Sequence, residues 1–197
     1  MSKANDDMAT AHHEAGHAVA AWLYGIPICH VEIDTQTGRG HVQPEVRYFT
    51  TVASHTKYKN LLAHMCAAGP LAESAYYHST GKQHVEGLLW STSDWHGLSA
   101  FKGGPSTYCA ETHPVTWAVK SLFTREDVKM AICALAGALL LSGRLNGREV
   151  DGIMKRCISS KGRLPLAQHQ IKSDRMFARF DRALSEQRAS QAVPHSA

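Results

Sequence analysis

The sequence predicts a mainly α-helical domain carrying a small β-hairpin or sheet, and three observations lead there. Apolar residues recur at three- and four-residue steps through several separate segments, the spacing that gathers side chains on one helix face. One short stretch, in which Cys29, Val31 and Ile33 alternate with His30 and Glu32, has instead the two-residue period of a half-buried strand. No segment repeats, which sets aside solenoid architectures.

The first helix spans residues 7–24. Asn5, Asp6 and Asp7 offer cap residues and negative charge at its start. Met8, Ala11, Ala15, Ala18, Val19, Trp22 and Leu23 form its apolar stripe, and Gly25 with Pro27 supplies the stop. The alternating stretch follows at once. A turn with two glycines over residues 35–40 and a return through His41, Val42 and Gln43, ended by Pro44, complete a hairpin. One edge of it could hold an extended peptide by strand addition. A small structural sheet is the plainer alternative.

A second helix is expected over residues 56–77, built on Leu61, Leu62, Met65, Cys66, Leu71, Ala72, Ala75 and Tyr76. Gly69-Pro70 should interrupt and kink it, because proline removes a backbone donor. Residues 79–90 and 102–114 read as loops, and Ser91 to Asp94 can open a short helix between them. Residues 125–141 form a strong helix ended by Gly143, and Asn146 can cap another over residues 147–158. The chain thus divides into a domain of residues 1–158 and a polar extension of residues 159–197. An amphipathic helix is expected there at 174–191, and a disordered end at 193–197.

Composition narrows the function classes. A hydrophobic fraction of 44% is that of an ordinary globular core. A net charge of +4 is too mild to imply a nucleic-acid surface. The five cysteines are scattered, odd in number and free of any C-x-x-C, as expected of buried thiols in a cytoplasmic chain. The polar, acidic start gives no reason to expect a secretory leader. The longest apolar run, residues 130–142, is short of the ~20 residues that span a bilayer. No phosphate-binding loop occurs, so activity is expected to be independent of ATP.

The chemistry lies in His13-Glu14-Ala15-Gly16-His17. In a helix the two histidines stand one turn apart on one face, which suits two imidazole nitrogens meeting one zinc ion. Glu14 lies about 100° round the helix from His13 and projects beside the metal, where a general base for a zinc-activated water must stand. With 13 histidines in 197 residues, chance alone gives such a pattern in about 4% of chains of this composition. The plain alternative is a surface helix with two solvated histidines. His12 faces away from the pair. A third ligand is required with an open position beside it. Glu73, Asp94, His84, His96, His41 and Glu32 are all candidates, and spacing does not choose among them. Asp94 also stands three residues after Ser91, a capping-box spacing.

Several landmarks in order resemble the zinc peptidase domain of the FtsH-type AAA+ proteases. They are His13-Glu14-Ala15-Gly16-His17-Ala18, the hairpin from Val31-Glu32-Ile33 to Gly40-His41-Val42-Gln43, Ala68-Gly69-Pro70-Leu71-Ala72-Glu73, Ser91-Thr92-Ser93-Asp94, and the pair of segments 135–140 and 145–150. The likeness covers residues 10–154. It implies that family's helical zinc-peptidase fold, Asp94 as third zinc ligand, and Glu73 as a residue that either supports a ligand from behind or packs helix on helix. Trp95 stands where the family usually has leucine, and the family's ATPase ring and membrane anchor have no counterpart in these residues.

The expected activity is therefore that of a zinc metalloendopeptidase acting on peptides or unfolded protein, with His13, His17 and Asp94 on zinc and Glu14 as base. It could act alone, as a homo-oligomer or with a separate ATPase partner. The competing expectations are a non-catalytic zinc scaffold or adaptor built on the same fold, and another zinc hydrolase such as an amidase. An intact Glu14 favours catalysis, since a purely structural site has no use for a base.

Overall fold

The computed structural model describes residues 7–45, 52–81, 94 and 114–159. Among them are five helices and one three-stranded antiparallel sheet: α1 (Asp7–Leu23), β1 (Ile28–Asp34), β2 (Arg39–Pro44), α2 (Val52–Thr80), α3 (Pro114–Phe123), α4 (Glu126–Ser142), β3 (Arg144–Asn146) and α5 (Gly147–Cys157). The mainly helical class with a small sheet matches the sequence reading. The readings for 82–93, 95–113 and 160–197 lie outside the described residues.

Helix α1 is central rather than amphipathic. Twelve of its seventeen residues are buried, among them Ala11, Ala15, Ala18, Val19, Ala20 and Ala21, and a helix apolar on most sides belongs in a core. One flank packs with Val31, Val42, Leu135, Leu139 and Met154. The other, through Ala20, Ala21 and, just past the helix end, Tyr24, packs with Leu61, Ala67, Ala68, Val115 and Val119. Its end has a definite motif. Ile26 N–H donates to the Ala21 carbonyl at 2.8 Å, Gly25 N–H donates to the Trp22 carbonyl at 3.1 Å, and Gly25 has φ 72°. That pair of bonds around a left-handed glycine is the Schellman cap.

The hairpin forms where expected, with Val31 opposite Val42 and Ile33 opposite Gly40. Asp34 closes its turn by accepting from the Gln36 N–H at 2.9 Å and the Thr37 hydroxyl at 2.8 Å. A third strand joins it: β3 pairs with β1, Leu145 opposite Val31, giving the order β2-β1-β3. The three residues of β3 do double duty, because Asn146 also caps α5. Its side chain accepts from the Arg148 and Glu149 N–H groups, and Glu149 returns a bond to the Asn146 N–H at 2.7 Å.

Helix α2 runs on through Pro70 and past both expected ends. Contacts with α1 outweigh the one lost backbone bond. A Cβ on Gly16 would stand 2.5 Å from the Ala68 carbonyl oxygen and 2.6 Å from the Ala72 Cβ, so glycine and alanines set the close approach of the two helices. Helix α3 had no counterpart in the sequence reading.

Replacing Asn146 by alanine removes one cap and frees the β3–α5 junction. Urea unfolding should show a loss of about 0.5–2 kcal/mol, with the slope unchanged. No loss would mean that the box contributes nothing.

Candidate metal centre

His13 and His17 leave α1 one turn apart, their rings 4.7 Å apart and near perpendicular. Asp94, helical and buried, meets both. His13 Nε2 stands 3.1 Å from Asp94 Oδ2, and His17 Nε2 stands 3.3 Å from Asp94 Oδ1. One donor atom from each of these three residues falls within 4.8 Å of the others, a group that could hold a metal ion. It is the one such group among the described residues.

Helix α2 fixes the rings from behind. His13 Nδ1 donates to Glu73 Oε2 at 2.8 Å, and His17 Nδ1 donates to the Met65 carbonyl at 2.7 Å. A carbonyl oxygen only accepts, so His17 carries its proton on Nδ1, and the Glu73 carboxylate imposes the same on His13. Each neutral ring then turns an Nε2 lone pair toward an oxygen of Asp94. Two acceptors do not face each other at 3.1–3.3 Å without a cation or a proton between them. The donor chemistry, a carboxylate and two imidazoles whose outer N–H groups are already anchored, therefore fits a metal ion.

In the metal-free chain a proton on His13 Nε2 takes that place. Burial acts to lower the His13 pKa, but its hydrogen bonds with Asp94 and Glu73 and the nearby Glu14 charge outweigh it and push the ring up to about 10. Burial acts to raise Asp94, yet the hydrogen bonds from His13 and His17 hold it well below the usual carboxylate range. Glu14 goes the other way: burial raises it, against the opposing effect of His17 and His13. Glu14 is 6% exposed and lies against the backbone of β2 at Gly40.

All five residues singled out from the sequence line one cavity of about 540 Å³, together with Gly40, His41 and Cys66. Compared with known proteins, the chain matches no family model and no curated protein. The geometry therefore stands by itself. Glu73 and Asp94 both reach His13, one at each ring nitrogen. Of the other third-ligand candidates, His41 lines the cavity outside the metal group. Glu32 is drawn away to Arg144 at 3.1 Å. His84 and His96 lie outside the described residues, as does Ser91, the start of the capping box in which Asp94 was read. His12 turns away as expected, bonding the Met8 carbonyl and stacking on Tyr76. The Met65 carbonyl was not foreseen. A backbone acceptor carries no residue-type signal.

Two outcomes follow. Asp94→Ala should lower zinc affinity by orders of magnitude, and Glu73→Ala by about 10–100-fold. Titration against a competing chelator measures both, and the reverse order would exchange their roles. The second concerns pH. The His13 pKa is raised above its unfolded value, so its contribution to the stability of the metal-free chain is complete below pH 6.5 and is lost as pH rises toward about 10. Zinc needs the neutral ring, so the loaded chain should lack that decline. Melting curves across this window, with and without chelator, test it; a flat metal-free profile would take the proton off His13.

Proposed function

We propose that the chain is a zinc-dependent hydrolase of peptide bonds, an endopeptidase whose metal is held by His13, His17 and Asp94 and whose base is Glu14. The observation that carries this reading is the placement of Glu14. Its carboxylate lies in the same cavity as the three donors yet outside their group, desolvated and raised in pKa. Cys66 also lines the cavity and stays outside the group, so among the described residues the donors number three, the count a catalytic zinc site uses.

Zinc bound there supplies Lewis acidity, activating a water and polarising the scissile carbonyl. The chain's own groups do the rest. Glu14 takes a proton from the nucleophile and, then protonated, gives it to the departing amine; its burial strengthens it as a base in the first transfer. Glu73 and the Met65 carbonyl hold both rings in one tautomer through the cycle. The edge of β2 beside Glu14 offers backbone groups to an extended peptide. The motif order shared with the FtsH-type peptidase domain supports the same reading, and so an unfolded or flexible substrate.

Glu14→Gln should keep its zinc while peptide hydrolysis falls by about 10²–10⁴-fold. Metal analysis beside a casein or peptide digestion assay checks it. Equal loss of zinc and activity would make Glu14 a ligand. A zinc-loaded wild type that cuts nothing would favour the scaffold role.

A further inference from the structure

Two glycines in the site have no backbone reason to be glycine. Gly40 lies inside β2, paired with Ile33, and Gly69 lies inside α2. Neither is among the glycines with positive φ. Glycine is a poor choice in a strand interior and among the poorest in a helix, so both positions forgo stability. What each would meet with a side chain explains the choice. A Cβ at position 40 would run into the Glu14 side chain, 2.6 Å from Oε1 and 2.7 Å from Cδ. A Cβ at position 69 would run into both imidazoles, 2.5 Å from His17 Cε1 and 2.8 Å from His13 Cδ2. Real Cβ contacts do not come this close, so the functional side chain would have to move.

The two consequences differ. The imidazoles cannot retreat cheaply, because the acceptors that hold them are on the same helix as Gly69. Met65, Gly69 and Glu73 follow one another at four-residue steps, a single stripe along α2. The outer members bind the two Nδ1–H groups, and the middle one is the gap that lets the rings come close enough to α2 for both bonds. At the other wall, Glu14 is pinned between α1 and the β2 backbone. The absent side chain at position 40 is the space its carboxylate occupies.

We propose that Gly69 and Gly40 are positioning residues with separate duties: Gly69 sets the imidazole pair for the metal, and Gly40 sets the Glu14 carboxylate. The second duty rests on the function proposed above; the first requires only that the histidines bind a metal.

Alanine at each position tests this, with zinc affinity by chelator competition, the visible spectrum of the cobalt-loaded chain, kcat and KM, and thermal melting. Gly69→Ala should weaken zinc binding by at least about tenfold and alter the cobalt spectrum. Gly40→Ala should leave both unchanged and lower kcat by about 10²-fold, the effect of a misplaced reacting group, with KM little moved. Melting of combined variants isolates the contact itself. In a His13→Ala/His17→Ala background the obstacle is gone, so Gly69→Ala should raise Tm, where in the wild type it lowers it. Gly40→Ala should show the same reversal in a Glu14→Ala background. If Gly69→Ala alone does not fold, the triple variant still decides, since it should fold and melt above its parent. Tm falling equally in both backgrounds, or Gly69→Ala with full zinc affinity, would overturn the proposal. A wild type without hydrolysis would end the base assignment, while the zinc and melting results still judge the glycines.

Discussion

Two imidazoles can share an ion only if the helix that carries them cannot turn, and α1 is gripped on both flanks. Val31, Leu135 and Met154 press on one side, and Leu61, Ala68 and Val119 on the other. The Trp22 indole N–H fixes the far end to Asp151 at 2.9 Å. With alanine and glycine at most contact positions, α2 comes close enough for its own backbone to serve as a ligand-orienting group. A wider interhelical distance would put the Met65 carbonyl out of hydrogen-bond reach of His17.

The same closeness concentrates charge. Glu14 and Asp94 are buried, Glu73 is 17% exposed at its side chain, and all three lie around two histidines. Carboxylates out of water are costly unless paired. Asp94 and Glu73 are paired through His13, whereas Glu14 keeps a desolvated carboxylate beside them. Two carboxylates of one cavity, Asp94 and Glu14, therefore have opposite shifts in proton affinity. Roles of this kind are separated by environment and not by residue type.

The histidine pair, Glu14 and the end of α1 were legible because each depends on local spacing, and the Gly25 stop is a backbone property of glycine itself. The hairpin was legible from period-two alternation. Strand β3 was not, since three residues carry no period, and Asn146 already had an evident use as a cap. Helix α3 went unread although Val115, Val119 and Leu122 stand at helical steps after Pro114, a favoured first residue of a helix; ten residues seen beside a glycine-rich loop were too weak a pattern. Spacing could not rank Glu73 against Asp94, because both contact His13 from segments distant in sequence. The family likeness did rank them, and in the structure Asp94 meets the Nε2 atoms of both rings while Glu73 meets Nδ1 of His13. Gly40 and Gly69 are visible in the sequence as letters, but what fills the space beside them is a tertiary fact.

The central position of β1 also bears on the order in which the molecule can assemble. Its pairing with β2 is a local hairpin, closed over a few residues, while its pairing with β3 joins His30 to Asn146 across most of the domain. Closing so long a loop is entropically slow. As the chain emerges from the ribosome, the histidines, the hairpin and Asp94 are all made before β3 exists. Until then β1 keeps one unpaired edge, the feature by which strands recruit foreign strands. The segment that shields this edge is also the cap of α5, so protection of the sheet and the start of the last helix arrive in a single event.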